Sequence, residues 1–198
     1  MKTPSRITFR FDPEKFANAL AFLAKRVRDL DKLKAAKLLY FADKYHLVRY
    51  GRPIIGDRYH SLDYGPVPSK ALDIMNETIH DVPRLATKQP LRNLLERYIE
   101  VDKAHRYPRF RAKRSPDLDV FSESEIEALE HTLAEYGDKS GVELVNISHR
   151  EAAWKEVGGY GEIDYRLFFK DSVSSERVVE LLEADQETRD LVDSINEL

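Results

Sequence analysis

Apolar residues recur at helical spacing from Phe16 onward, where Phe16, Leu20, Leu23 and Val27 make one stripe. Asp12-Pro13 sets the start, an Asp N-cap followed by Pro at the first helical position. Lys25, Arg26 and Arg28 crowd the end, where cations suit the helix dipole. Asp31 caps a second helix whose apolar positions fall on two lines: Leu33, Ala36 and Tyr40, then Leu38, Phe41, Tyr45 and Val48. So broad an apolar surface places this helix in the centre of the domain. Gly51 supplies a left-handed C-terminal residue, and Pro53 prevents continuation.

Beyond Pro53, Ile54-Ile55 and Arg58–Tyr64 read as short extended segments joined through Gly56-Asp57. Gly65-Pro66 reads as a turn, and Pro68 as the entry to a third helix carrying Leu72, Met75 and Ile79. Residues 81–90, with Pro83 and Pro90, read as a loop. Tyr98–Val101 and Tyr107–Lys113 predict two strands of a hairpin around Lys103–Arg106, with Pro108 confining the second to an edge or its first residue. Ser122 and Glu125 form a capping box, with Phe121 placed to staple onto Ile126 and a stripe of Ile126, Leu129, Leu133 and Tyr136 behind it. The capping-box spacing recurs at Ser140–Glu143 and at Ser148–Glu151, the latter leading to Trp154. Gly158, Gly159 and Gly161 break regular structure, and Ile163, Tyr165, Leu167 and Phe169 alternate like an extended segment. The tail from Ser174 reads as one broken helix or two short ones, with Val178, Leu182, Leu191 and Ile195 apolar.

Composition narrows the class without choosing a function. With 198 residues the chain holds one domain with a substantial core. A net charge of −3 gives no global field for nucleic acid, so any basic surface is local. The lack of cysteine excludes disulfides, thiolate zinc sites and a cysteine nucleophile, and fits a reducing cytoplasm. No run of eighteen apolar residues occurs, and Met1–Arg6 lacks the apolar stretch of a signal peptide, so neither membrane nor export is expected.

Chemistry-bearing residues are scattered. The six histidines, His46, His60, His80, His105, His131 and His149, include no pair four apart on one helix, and a structural or solvated role is the commoner fate of such residues. Asp57, His60 and Asp63 have the wrong period for one face of a strand. Lys37, Asp43 and His46 lie on the central helix, and Asp43 and His46 are spaced to meet, either as an acid–base pair or as structural partners. Trp154, with His149 five residues earlier, reads as a core plug in which indole and imidazole each find a hydrogen-bond partner. The strongest local signal is basic: Arg106, Arg109, Arg111, Lys113 and Arg114, interleaved with Tyr107 and Phe110. On a strand, Arg109, Arg111 and Lys113 face one side and Phe110 and Ala112 the other. Such a ribbon suits phosphates, an acidic protein partner, or simply a solvated edge protected by charge.

Several segments taken in order resemble the Panacea domain, the SocA-like antitoxin family also known as phage-associated GepA proteins. They are Lys37-Leu-Leu-Tyr-Phe-Ala-Asp43, Gly51-Arg-Pro-Ile, Gly56-Asp-Arg-Tyr and Tyr64-Gly-Pro-Val-Pro-Ser, then Phe121–Leu129, Tyr136–Ser140 and Ser148–Trp154. The resemblance implies a mainly helical α+β domain of six to eight helices with a small sheet or hairpin, covering residues 1–170 and followed by a helical tail over 171–198. It implies no enzyme activity and no cofactor or metal. It implies instead an antitoxin that neutralises a cognate toxin, encoded by an adjacent gene, through direct protein–protein contact. One member looks like an adaptor delivering its toxin to a protease, which makes a protease a second class of partner. No added DNA-binding domain is seen, so transcriptional autoregulation is not expected. Lys37, Tyr40, Asp43, Gly51, Pro53, Gly65, Pro66, His149 and Trp154 are read as scaffold. Tyr64, Tyr107, Arg109, Phe110, Arg111, Lys113 and Leu191 are the expected partner anchors, chosen for surface position. Two rivals remain: a nucleic-acid-binding regulator using the 106–114 hairpin, and a small hydrolase built on Asp43 and His46.

Overall fold

The computed structural model describes residues 6–81, 89–172 and 176–196. Two helices form its centre. Helix α1 (Pro13–Arg26) is capped by Asp12, whose side chain accepts from the Glu14 and Lys15 amides, and α2 (Lys32–Tyr50) is capped by Asp31. Gly51 closes α2 in the left-handed conformation, φ 74°. As expected, α2 is buried on more than one side. The single stripe expected for α1 understates it, since every residue from Phe16 to Ala24 is buried. Ala17, Ala19, Ala21 and Ala24 fill the spaces between the large residues, and their small side chains let neighbours pack on all sides.

Around this pair the chain adds β1 (Tyr59–Leu62), β2 (Gly65–Pro68), α3 (Ser69–His80), α4 (Gln89–Glu96), β3 (Ile99–Asp102) and β4 (Arg109–Ala112). It continues through α5 (Glu123–Tyr136), α6 (Gly141–Ser148), α7 (Ala152–Lys155), β5 (Gly161–Glu162) and α8 (Glu176–Asn196). The described residues thus form a mainly helical α+β fold, with eight helices and two small antiparallel sheets ordered β2-β1-β5 and β3-β4.

Four local expectations need correction. Gly65-Pro66 does not make the turn; Asp63-Tyr64 does, and Gly65-Pro66-Val67-Pro68 is strand β2. Ser69 donates its amide to Arg58, so by alternation Pro66 and Pro68 turn their nitrogens away from β1. The sheet therefore loses no ladder bond to either proline. The third capping box is absent, because Ser148 ends α6 and gives its hydroxyl to Val145 O, leaving α7 to start at Glu151 without a side-chain cap. Tyr165–Phe168 is a 3-10 turn rather than an extended segment, started by the Asp164 side chain accepting from Arg166 N. The tail is one unbroken helix, with no Gly or Pro between Glu176 and Asn196 to interrupt it.

Of the loop expected over 81–90, residues 82–88 lie outside the described residues, and Gln89 and Pro90 already belong to α4, where Pro is tolerated in the first turn. The two capping boxes at Ser122 and Ser140 form as expected. The first does more than cap. Glu125 is buried, and besides the Ser122 amide it takes Lys15 at 2.7 Å and Arg52 at 3.0 Å, so it ties α5 to α1 and to the loop after α2.

Candidate partner-binding surface

The segment from Lys37 to Pro66 folds back on itself so that α2 supports the β1–β2 hairpin from beneath. Lys37 is fully buried, and its Nζ donates to the Pro66 carbonyl at 2.7 Å. That carbonyl lies on the side of β2 turned away from β1, where no strand can satisfy it. Burial pulls the Lys37 ammonium down to about 7, against an opposing pull from Glu151. Gly65 sits over the same spot with φ 86°; a Cβ there would come within 2.6 Å of Ser148 Oγ and 2.7 Å of Lys37 Nζ. From the other side, Trp154 Nε1 donates to Leu62 O at 3.1 Å. His149 stacks on Trp154 with ring centroids 3.8 Å apart. The pair is half-buried rather than a core plug, and only the indole fully meets the expectation of hydrogen-bonding. The imidazole bonds the Asp63 backbone, but its Nε2 is buried with no partner.

A second polar node holds the approach to the hairpin. Asp43 accepts from the Ile54 and Ile55 amides, both at 2.9 Å, and from Tyr59 OH at 3.0 Å. Burial pushes its carboxyl up to about 7, although all three donors pull the other way. His46 does not meet Asp43. Its ring nitrogens bond Arg52 O at 2.6 Å and Ser124 Oγ at 3.0 Å, because the chain beyond Gly51 doubles back between the two side chains. With each group engaged by different partners, Asp43 and His46 do not form the acid–base pair that their spacing allows. Among the described residues no cluster of His, Asp and Glu is arranged to hold a metal ion.

What this buttressing carries is exposed and aromatic. Tyr64 at the hairpin tip is 66% exposed and Tyr160 is 75% exposed. Tyr160 OH donates to Asp63 Oδ2 at 2.6 Å, which fastens the loop around Gly158 and Gly159 to the same tip. Sequence reasoning missed Tyr160 because the glycines around it read only as breakers. It missed Glu151 also, taken for a capping residue. Glu151 accepts from Tyr40 OH and pairs with Lys44 at 2.9 Å, and Lys44 reaches Asp171 as well. These groups border an open groove of about 640 Å³ between α2 and α5, flanked by the stacked pair Phe41–Tyr136.

The remaining expected anchors lie on other elements. Tyr107 is 62% exposed in the loop between β3 and β4, Lys113 is exposed just after β4, and Leu191 is 62% exposed on α8. Phe110 is not a surface residue: it is fully buried, on the core side of β4. Nor is β4 a free edge. Its Phe110 amide donates to Leu30 O at 2.8 Å, and Asp31 bridges Arg109. Arg109 and Arg111 are half-buried, and the Arg111 guanidinium donates to Arg28 O and reaches Asp102 at 3.5 Å.

Lys37 and Trp154 brace the β1–β2 hairpin through Pro66 and Leu62, β5 pairs with β1, and the family model described as antitoxin SocA-like, Panacea domain, matches residues 36–155. The chain belongs to this family. Lys37, Asp43, Gly65, Pro66, His149 and Trp154 all fall within the matched stretch of the Panacea domain, whereas α1 and α8 lie outside it. No curated protein and no solved structure gives a match to the chain. Among the described residues, no helix of this Panacea protein is long and apolar enough to cross a membrane.

Proposed function

We propose that this Panacea-domain protein neutralises a cognate protein toxin by binding it directly, occluding or distorting it without chemistry of its own. The observation that carries this reading is the exposed Tyr64–Tyr160 tip, held on a hairpin that α2, α6 and α7 brace from within. Rigid aromatic anchors lose little freedom on docking and dominate binding energy. The toxin is expected from an adjacent gene, the encounter in the cytoplasm, and delivery of the bound toxin to a protease is an extension of the same reading. The domain would be the body through residue 170, with 171–198 as an accessory tail. The rival of a nucleic-acid-binding regulator is weaker, because Arg111 is tied to Arg28 O and Asp102 and is not free to track phosphates.

The test is co-expression with the neighbouring open reading frame, scored by growth rescue and by pull-down. The reading predicts a toxic neighbour, rescue by this chain and a co-purified complex. A harmless neighbour, or a toxic one neither rescued nor captured, defeats it.

A further inference from the structure

Helix α8 has two faces of different character. One is docked on the body: Leu182 and Gln186 are buried, Gln186 Oε1 accepts from the Thr8 amide at 2.9 Å, Arg189 donates to Thr8 O at 3.0 Å, and Glu183 pairs with Arg166 at 2.6 Å. The other is open. Leu181, Ala184, Thr188, Leu191 and Ile195 are all exposed and are spaced three, four, three and four apart, the repeat of a coiled-coil seam. Leu181, Leu191 and Ile195 are each at least 60% exposed, and Val192 beside them is 50% exposed. The charges around this face are mainly acidic, although Arg177 continues the line of Leu181 one step earlier and Arg189 pairs with Asp185 at 3.1 Å. Seven carboxylates against two arginines give α8 a net charge of −5, while the whole chain carries only −3.

That charge argues against a second copy as the occupant. In the heptad frame set by Leu181, the flanking positions beside the seam include Glu180, Asp185 and Glu187. A parallel pair of α8 helices would set Glu180 against the partner's Asp185. An antiparallel pair would set the Glu180 and Glu187 flank against itself. Either orientation places like charges across the seam, which is disfavoured. A helix with basic flanks satisfies both the apolar repeat and the carboxylates. We infer that the outer face of α8 is a docking seam for an amphipathic helix with Lys or Arg along its flanks, supplied by the toxin. The inference rests on the toxin-binding reading above and gives that partner a chemistry. It also gives the protein a contact outside the family-matched stretch.

The test uses the full chain and two probes: the product of the adjacent open reading frame, and a labelled four-heptad peptide with Leu at its a and d positions and Lys at its flanking positions. A Glu-flanked version of the peptide is the control. Wild type binds both probes and not the control. Leu191→Ser with Ile195→Ser, and separately Glu180→Lys with Glu187→Lys, each weaken both by about tenfold or more, as loss of a central anchor does. All four substitutions fall on exposed positions, so circular dichroism and melting remain those of wild type. If both variants hold the neighbour's product as tightly as wild type does, the seam is overturned and toxin binding stands. If wild type does not bind that product, the toxin reading falls, and the seam stands or falls on discrimination between the two peptides. A wild-type dimer that the serine pair turns into a monomer overturns the inference in favour of self-association.

Discussion

Lys37 Nζ donates to the Pro66 carbonyl 2.7 Å away, joining the middle of the central helix to an edge strand twenty-nine residues later. The two halves of the bond explain each other. Pro66 leaves β2 without an amide on its outer side, so no further strand can pair there, yet its carbonyl is buried and needs a donor. Lys37 reaches it along an apolar stem, and among the described residues no carboxylate forms an ion pair with its amine. The hairpin is held in one position relative to α2, and Tyr64 is presented at its end.

The pH dependence of stability follows from this bond. Lys37 titrates at about 7 when folded, well below its ordinary value of 10.5, because burial disfavours the charged form. Between these values the unfolded chain holds a proton that the folded chain has lost. Lys37 therefore makes the fold more stable as pH rises from 7 toward 10, by up to about 1.4 kcal/mol per pH unit, and adds no slope below 7. Urea denaturation of wild type and Lys37→Met at pH 7 and pH 9 measures it: the gain on raising the pH is present in wild type and absent in the variant.

Asp43 is the second internal support, and its loss leaves two backbone amides without an acceptor and the Tyr59 hydroxyl with only a long bond to Leu39 O at 3.4 Å. Each buried donor left unmet costs about 1–3 kcal/mol, so Asp43→Ala destabilises by about 3 kcal/mol or more. Asp43→Asn keeps an acceptor oxygen and costs less. Tyr59→Phe removes one donor only and is the mildest of the three. Equilibrium denaturation ranks them; equal losses for all three would mean that the hydrogen bonds at Asp43 do not set its contribution.

Much of this was readable in advance, and the misses have physical causes. Helix ends were legible at Asp12, Asp31, Gly51, Ser122 and Ser140 because capping is local chemistry. The strand at Gly65–Pro68 was not, since two prolines argue against a strand until the side they face is known. Ser148 matched a capping box by spacing, but its place at the buried end of α6, under Gly65, is a tertiary fact. Phe110 stood among basic residues and shared their apparent exposure; alternation along β4 put it on the core face. Tyr160 carried no pattern at all, and only its bond to Asp63 places it beside Tyr64.

Gly65 is required twice, by its left-handed φ of 86° and by the lack of room for a Cβ above Lys37 and Ser148. Gly65→Ala meets a left-handed strain of about 1–2 kcal/mol before any clash is counted. The variant is expected to melt several degrees below wild type, and its hairpin amides to exchange faster. Gly158→Ala is the control, because its φ is also positive but nothing lies within 4 Å of an added Cβ. Similar losses for both would show that strain alone, not the packing over Lys37, fixes Gly65.

Tyr64 and Tyr160 separate binding from stability. Both rings are mostly exposed, so Tyr64→Ala and Tyr160→Ala change stability by less than about 0.5 kcal/mol. As central anchors, each is expected to lower affinity for the toxin by about 2 kcal/mol, roughly thirtyfold, with matching loss of growth rescue. Calorimetric titration of the purified complex reads the affinity. Unchanged affinity in both variants places the toxin on another surface.

Phe110 and Tyr107 test the opposite assignment on the β3–β4 hairpin. They are three residues apart, yet Phe110 is fully buried and Tyr107 is 62% exposed. Phe110→Ala removes a ring from the core beneath β4 and is expected to cost about 3–5 kcal/mol, reflected in a lower urea midpoint. Tyr107→Ala leaves the midpoint unchanged. Any loss of toxin binding in the Phe110 variant should then follow the unfolded fraction and recover at lower temperature, whereas loss in the Tyr107 variant would be direct. If Phe110→Ala is as stable as wild type, the strand does not bury that face in the core, and the basic residues beside it return as candidates for a freely presented ribbon.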